Sequence, residues 1–278
     1  MKRILHYTAT GSMFLLLFFL QNPALAQSGT PHGAGSRGAA LGNAAVTFTD
    51  INSAFANQAG LANLENLTAT TFAEQRFLLS DLQTVSAAAA LPTTSGTFAL
   101  TLHHFGVEAF REQRFGLAYA RPLTENMSIG AQVLLLHTSI PAYGSRTNLT
   151  FELGFQTQLL PELRLGAHAY SPMRVEIVPG EYLPTIVKLG LAYLPSERVM
   201  FSVEVEKDID FPARTKIGVA YQLIEQLELR TGVATNPTNV AFGLGYQFKN
   251  GLSFDLASVY HQWLGFSPTA SVIFQRKK

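Results

Sequence analysis

The sequence contains no cysteine, and this absence excludes several kinds of protein at once. Without a thiol there is no disulfide framework, no thiolate metal site, no catalytic cysteine and no lipid-modified cysteine anchor. Charge is also scarce: 14% of the residues are charged, against roughly 25% in soluble domains. Because 20 Lys and Arg balance 19 Asp and Glu, no basic excess exists to meet phosphates, and a nucleic-acid partner is excluded. The 47% hydrophobic content likewise excludes a disordered chain.

Long hydrophobic runs are missing as well, apart from one short run near the N-terminus. Lys2 and Arg3 precede an apolar stretch at residues 13–20, and an Ala-Leu-Ala triplet ends at Ala26. This layout predicts a secretory signal peptide at residues 1–26. The alternative, a membrane anchor helix, needs roughly 20 apolar residues and is disfavoured. No later run is long enough for a spanning helix, so a membrane-spanning mature chain would have to cross with strands.

Alternation of apolar and polar side chains is the dominant pattern of the remaining chain. Phe242, Leu244 and Tyr246 share one parity, while Gly243 and Gly245 occupy the other. A period of two with one apolar face is typical of a β-strand. Each such segment is about ten residues long, the length with which a tilted strand crosses a bilayer. The segments are fourteen in number, at residues 66–76, 82–91, 96–105, 113–121, 126–137, 147–158, 162–170, 185–194, 198–207, 213–222, 226–234, 239–248, 252–261 and 267–276.

These segments predict an all-β fold, a transmembrane antiparallel up-and-down β-barrel of about 14 strands over residues 65–278. A soluble β-sandwich or a lipocalin-like barrel also alternates, but its polar face carries many charges. Here the polar face is rich in Gly, Ala and Ser, while the apolar face carries Leu, Val and aromatic residues. The prediction places the chain among lipids in the outer membrane of a Gram-negative-type bacterium. An even number of strands puts both termini on the periplasmic side.

Charged residues fall on the polar parity of the strands, which should line the lumen. A hairpin centred on Asp210 would pair acidic residues of one strand with basic residues of the next, and such pairs contribute roughly 0.2–1 kcal/mol each. Pairs that fix the strand register are the favoured interpretation. A selectivity site or cargo contact is the alternative, although no single sign dominates as it would in a selectivity ring. The candidate lumen charges are Glu204, Glu206, Arg214, Lys216, Glu228 and Arg230.

The segment before the barrel, residues 27–64, is rich in small residues and poorly suited to a strand. Its Ala, Gly and Asn content should allow it to pack against a barrel wall of Gly and Ala, so we interpret it as a helical or irregular plug, or hatch. Asp50 could cap a short helix beginning at Ile51. A loose periplasmic tail is the alternative. The candidate plug residues are Arg37, Leu41, Gly42, Asp50, Asn57, Ala59 and Gly60.

Two short motifs in this segment resemble the opening of the PorV/PorQ-type proteins. Residues 35–44 read GSRGAALGNA and residues 57–62 read NQAGLA, where that family has an Ala-rich stretch followed by an N-P-A-G-L-A motif. Gln58 stands at the position of the family's Pro. The family is related to the FadL fatty-acid transporters, which are also barrels with an N-terminal hatch. The resemblance implies an outer-membrane component of type IX protein secretion, whose partner is a larger translocon barrel or secreted cargo.

Motifs for catalysis or metal binding are not found in the sequence. It has no G-x-S-x-G elbow and no P-loop. The adjacent His103 and His104 should point to opposite faces of one strand, and the other histidines lie far apart along the chain without acidic partners at ligand spacing. We therefore expect no enzyme activity, no metal and no cofactor.

Three functions follow from these patterns. The main prediction is a secretion component that binds a larger translocon or its cargo. The alternative is a FadL-type channel for hydrophobic small molecules, which needs an apolar pocket in the lumen and an opening in the wall. Pro184 and Pro212 could mark such a break in the ladder, although strand termination is the simpler explanation. A structural barrel without transport is the third possibility.

Overall fold

A computed structural model describes residue 31 and residues 33–141, 143–178 and 180–277. The predicted signal peptide at residues 1–26 lies outside them. No helix in the described part of the chain is both long and apolar enough to cross a membrane.

The described chain forms a closed antiparallel barrel of fourteen strands, as predicted from the alternation. Each strand pairs with its neighbours in the chain, and the first and last strands close the circle. Two further short strands, β8 and β9, form a separate hairpin between β7 and β10. The strands are β1 Thr68–Gln75, β2 Gln83–Thr93, β3 Gly96–Val107, β4 Phe110–Pro122, β5 Met127–Ile140, β6 Gly144–Leu160, β7 Leu163–Tyr170, β8 Glu176–Val178, β9 Glu181–Tyr182, β10 Ile186–Ser196, β11 Val199–Asp208, β12 Arg214–Ile224, β13 Leu227–Ala234, β14 Asn239–Gln247, β15 Leu252–His261 and β16 Gly265–Gln275.

The barrel has two ends that are easily told apart. The terminal end is where β1 begins and β16 ends, and the loop end lies opposite. At the loop end, residues 76–82 include two short 3₁₀ helices, Arg76–Leu78 and Ser80–Leu82, and the β7–β10 connection carries the β8–β9 hairpin. The hairpins after β3 and β5 continue pairing as far as Val107 with Phe110 and Ile140 with Gly144. Strands β3 to β6 therefore extend beyond the apolar segments seen in the sequence.

The wall of the barrel is sorted by polarity. Outward apolar side chains are widely exposed, for example Leu117 at 53% and Phe242 at 54%. Every Asp and Glu in the described barrel strands has the inward parity. The charged residues on the outward parity of those strands are Arg111, Arg121 and Lys207. Such a wall suits a lipid environment, because a carboxylate that faced lipid would lack the polar partners that it finds inside the barrel.

Inside the barrel lies the inner segment, which we define as residues 33–64. It contains helix α1, Gly35–Ala40, and two 3₁₀ helices, Ile51–Phe55 and Gln58–Asn63. Asp50 caps the first 3₁₀ helix, as predicted, by accepting a hydrogen bond from the backbone N–H of Asn52 at 2.8 Å. The segment then leads into β1 at the terminal end.

Candidate functional site

The inner segment crosses the full width of the lumen. At one side, the backbone N–H of Ser36 donates to Ser271 Oγ of β16 at 2.9 Å. At the other, Asn57 Nδ2 donates to the carbonyl of Ala167 in β7 at 3.2 Å. In the closed order of fourteen strands, β16 and β7 are diametrically opposite. Together with its contacts to the remaining strands, the segment meets every strand of the barrel.

Asn57 and Gln58 dock the second 3₁₀ helix onto strands β5 to β7. Asn57 caps this helix and also donates to the carbonyl of Phe155 at 3.1 Å. Gln58 is fully buried, and its Nε2 donates to Glu152 Oε2 at 2.7 Å and to Gln132 Oε1 at 3.2 Å. A proline, which the resembling family has at position 58, could make neither bond. This departure from the motif is therefore an anchoring contact between the inner segment and the wall.

Inward glycines of the wall let the inner segment approach the strands closely. A Cβ placed on Gly130 would lie 2.4 Å from the backbone nitrogen of Ala59, and one on Gly166 would lie 2.3 Å from the carbonyl oxygen of Val46. On the other side of the barrel, a Cβ on Gly232 would lie 2.2 Å from the carbonyl carbon of Leu41. Each distance is far inside van der Waals contact, so these positions leave no room for a side chain.

The first testable consequence concerns Gly130. We expect Gly130→Val to displace residues 58–60 from the wall and to lower stability by about 2 kcal/mol, a typical cost of overpacking. The barrel should still form, because the substitution leaves the ladder intact. Thermal unfolding in detergent and single-channel recording would show a lower transition temperature and a new leak current. Ala131→Val is the matched control, since Ala131 faces outward on the same strand. Equal behaviour of the two variants would contradict the close fit.

Glu204 fastens the middle of the inner segment to strand β11. Its Oε2 accepts hydrogen bonds from the backbone N–H groups of Ala45 and Val46, both at 2.8 Å. Its Oε1 accepts from Lys216 Nζ at 2.8 Å. Because Glu204 is only 1% exposed, each of these donors is needed to offset the desolvation of its carboxylate.

Glu206 lies one inward position further along β11, next to three cations of the wall. Lys216 Nζ donates to it at 2.7 Å, and Lys188 and Arg214 each lie 3.7 Å away. The register pairs Glu204 with Lys216 and Glu206 with Arg214, as the hairpin centred on Asp210 predicts. These charges are thus paired among themselves, and only Glu204 also holds the inner segment.

A second charged group lies toward the terminal end, where Arg37 of α1 pairs with Asp50 and lies 3.9 Å from Glu228. Burial opposes the charged form of Arg37, but the two carboxylates outweigh it and raise the pKa of the guanidinium above its usual range. Arg37 is therefore cationic at every physiological pH. Nearby, Arg230 donates to Glu228 and Asp255, both at 2.5 Å.

At the loop end an apolar cluster fills part of the lumen beside the buried Arg114–Glu112 ion pair of β4, and the alternation pattern did not predict it. The connection between β7 and β10 folds inward, and its Ile177 and Leu183 pack on Leu134 and Leu136 of β5. Tyr170 and Ile186, at the ends of β7 and β10, complete this apolar cluster. The signal was present in the sequence, because Leu134 and Leu136 interrupt the small and polar residues of the inward parity.

Between this apolar cluster and the charged wall lies a cavity of about 160 Å³ above the inner segment. Its lining includes Phe55 of the inner segment and Phe72 of β1, whose rings meet edge to face with centroids 5.6 Å apart. Ile186 and the cations Lys188 and Arg214 also line it. The cavity therefore has an apolar side and a polar side, and its volume is similar to that of an engineered cavity that holds benzene.

The structure places the candidate residues in two connected groups. The seven candidate plug residues all lie in the inner segment, and the six candidate lumen charges all lie on the inward parity of β11, β12 and β13. Asn57 and Asp50 make the contacts described above, and Arg37 lies near Glu228, which joins the two groups. That the inner segment closes the lumen to solutes, and that the lumen charges serve a function beyond register, stay predictions. No group of side chains suited to hold a metal ion occurs among the described residues.

Solved structures of transport proteins share this architecture. The toluene transporter TodX of Pseudomonas putida aligns with a TM-score of 0.66 and 14% identity, covering 89% of this chain and 98% of that one. The toluene transporter TbuX of Ralstonia pickettii gives 0.66 and 13%, covering 89% and 99%. A FadL homologue of Pseudomonas aeruginosa gives 0.65 and 13%, covering 90% and 98%. The chain has the FadL-type fold. No protein-family model and no curated protein sequence matches it.

These comparisons correct the main functional prediction. The chain's interpretation as a component of a type IX secretion machinery is wrong, because the structures that share the FadL-type fold are described as a toluene transporter, a hydrocarbon channel and a FadL homologue. The FadL part of the sequence resemblance is confirmed at the level of the fold, whereas nothing supports its PorV/PorQ part. The motifs behind that resemblance lie in the inner segment, where they serve packing against wall glycines and capping of short helices.

Proposed function

We propose that the chain is an outer-membrane channel that admits small hydrophobic molecules, with the inner segment as its gate. The observation that carries the proposal is the cavity above the inner segment, bounded by Phe55, Phe72 and Ile186 within a lipid-facing barrel. The apolar side formed by these three residues suits a hydrophobic solute, while Lys188, Glu204, Glu206, Arg214 and Lys216 form a polar side of the same cavity. The description of TodX and CymD as monoaromatic hydrocarbon channels supports the same class of solute.

The charges of the lumen do not exclude a hydrophobic path, because they are paired with one another. The carboxylates of Glu204 and Glu206 are matched by Lys188, Arg214 and Lys216 on the wall. They are therefore engaged in holding the strand register and the inner segment. The apolar cluster around Leu134 and Leu136 offers a hydrophobic surface at the loop end, where a solute from outside would enter.

The expected opening in the wall is not present in the described strands. All fourteen neighbouring pairs are hydrogen-bonded, and register shifts are confined to the terminal ends of β6, β10 and β12. Pro184 and Pro212 precede β10 and β12 and mark strand starts. A solute that leaves the cavity must therefore pass the inner segment, which has to move.

The orientation follows from the same proposal. The outward apolar wall lies among lipids of the outer membrane, and the terminal end, where β1 begins and β16 ends, faces the periplasm. The inward-folded connection between β7 and β10 then lies on the cell exterior, at the entrance. The expectation that the chain is not an enzyme agrees with this function, since the named structures of its fold are transporters and channels.

A disulfide lock tests the gate directly. The Oγ atoms of Ser36 and Ser271 are 2.8 Å apart, and the chain has no native cysteine, so Ser36→Cys/Ser271→Cys should tie the inner segment to β16. In a Gram-negative host lacking other hydrocarbon channels, we expect uptake of radiolabelled toluene to fall about tenfold under oxidation and to recover with reductant. The single variant Ser271→Cys controls for the substitution.

Two outcomes would contradict this proposal. If the wild-type chain raises toluene uptake no more than an empty vector, the chain is not a hydrocarbon channel. If the oxidised lock transports as fast as the reduced form, with the disulfide verified by mass spectrometry, the channel does not open by moving this part of the segment. Uptake of a hydrophilic sugar, measured in parallel, would show whether the path is selective for apolar solutes.

A further inference from the structure

A polar row interrupts the apolar outer wall on strands β3 to β5. The register places His104, Gln113 and His137 side by side, and all three have the outward parity. Neighbouring strands are about 4.8 Å apart, so the row is about 10 Å wide. His137 Nδ1 lies 2.9 Å from Thr147 Oγ1 on β6. The imidazoles and the amide are groups that can donate hydrogen bonds to an anion.

Arg111 stands above this row, two residues nearer the loop end on the same face of β4. Its side chain is exposed, and in the described part of the chain it makes no ion pair or hydrogen bond. No carboxylate shares this face, because every Asp and Glu of the described barrel strands has the inward parity. The strands therefore offer the guanidinium no counter-ion on the side where it meets the membrane, and Glu108 of the β3–β4 turn forms no ion pair with it among the described residues.

Below the row, toward the middle of the barrel, the outer wall is apolar again. Leu102, Phe115 and Leu135 form the next outward row in the same register. With the polar row they line an outward groove of about 530 Å³. The groove thus has a hydrogen-bonding end near the loops, with Arg111 just beyond the residues that line it, and an apolar floor that runs toward the membrane centre. These two chemistries, in this order, match the headgroup and acyl chain of a lipid.

We propose that this groove binds an anionic lipid that carries a phosphate, with the phosphate held by Arg111, His104 and His137 and an acyl chain lying over Phe115. The charge of Arg111 selects an anionic headgroup, since zwitterionic lipids would bring a compensating cation to a face that already has one. Gln113 lies between the two histidines, where it can donate to a headgroup oxygen. The site rests on the proposed membrane location of the barrel, but it is independent of what the barrel transports.

The other outward arginine of β4 provides a matched control. Arg121 lies on the same strand and the same face, at the terminal end, and it is exposed like Arg111. Its cross-strand neighbour on β5 is Ile129, so its surroundings lack the histidines. If any outward arginine at a membrane boundary retained anionic lipid equally well, Arg111 and Arg121 would behave alike.

Native mass spectrometry of the full chain, in detergent with equimolar phosphatidylglycerol and phosphatidylcholine, tests the site. We expect the wild type to retain phosphatidylglycerol preferentially, and Arg111→Gln/His104→Gln/His137→Gln to reduce that preference about tenfold, the effect of losing a charge-assisted contact. Arg111→Lys should keep most of it, and Arg121→Gln should leave it unchanged. All four substituted residues lie on the outer surface, so heat-modified migration on gels should confirm folded barrels.

The proposal is overturned if the triple variant keeps the wild-type preference, or if Arg121→Gln loses as much as the triple variant does. Toluene uptake by the same variants separates this site from the channel function. Normal uptake with lost lipid preference would support the lipid site alone. If the chain keeps its lipid preference but transports no toluene, the lipid site is supported and the proposed channel function is wrong.

Discussion

Removing residues 37–64 should convert the closed barrel into an open pore. The strands close on each other through β1 and β16 without help from the inner segment, so we expect the truncated chain to fold. Its lumen would then be lined by inward glycines and alanines that now meet water instead of the segment. Barrels of this size enclose a wide lumen when nothing fills it, and single-channel conductance should rise on the order of tenfold or more.

Planar-bilayer recording of purified protein measures this change. Wild-type protein from the same preparation is the control, and slow migration on gels before heating would show that both forms are folded barrels. A truncated barrel that conducts no more than the wild type would mean that the loop end closes the lumen by itself. The inner segment would then not be the gate.

The second large effect is expected at Glu204. Glu204→Gln should free residues 45 and 46 from the wall, because an amide presents an NH₂ group to one or more of the three donors that the carboxylate now accepts from. Loss of one member of a buried charge pair typically costs about 3 kcal/mol. We expect a lower unfolding temperature, frequent opening events in bilayer recordings and faster proteolysis within residues 41–50.

Glu206→Gln is the comparison that makes this result interpretable. It removes a carboxylate of the same wall strand and weakens contacts to the same Lys216, but the hydrogen bonds of Glu206 do not reach the inner segment. We expect it to lower the unfolding temperature without opening events. If both variants show equally frequent opening events, Glu204 does not hold the inner segment specifically. The two carboxylates would then affect opening only through the stability of the wall.

Much of the barrel could be predicted from local sequence. A two-residue period, as in Phe242, Leu244 and Tyr246, is a property of each strand by itself, and all fourteen predicted segments correspond to barrel strands. The Glu204–Lys216 pairing followed as well, because a short hairpin fixes its own register. The predicted lengths of β3 to β6 were too short, because these strands continue beyond their apolar segments. Backbone pairing does not require apolar side chains.

The site was harder to predict, because its contacts join distant parts of the chain. Gln58 meets Glu152 and Glu204 meets Ala45 across about a hundred residues or more of sequence, and no local pattern encodes such meetings. The infolded connection with Ile177 and Leu183 was missed for the same reason. The predicted function was wrong because it relied on two short motifs of the inner segment rather than on the barrel that makes up most of the chain.

The closing seam between β1 and β16 has a consequence for assembly. These strands are the first and last of the barrel, so the final ladder forms only when the whole chain is present, and it joins residues some 200 positions apart. Contacts this distant in sequence are slow to form, because a long loop must close first. Ser36 meets β16 at Ser271, beside this seam. The inner segment is therefore a core around which the last strand can settle, and a chain that lacks it should insert more slowly even where the finished barrel is sound.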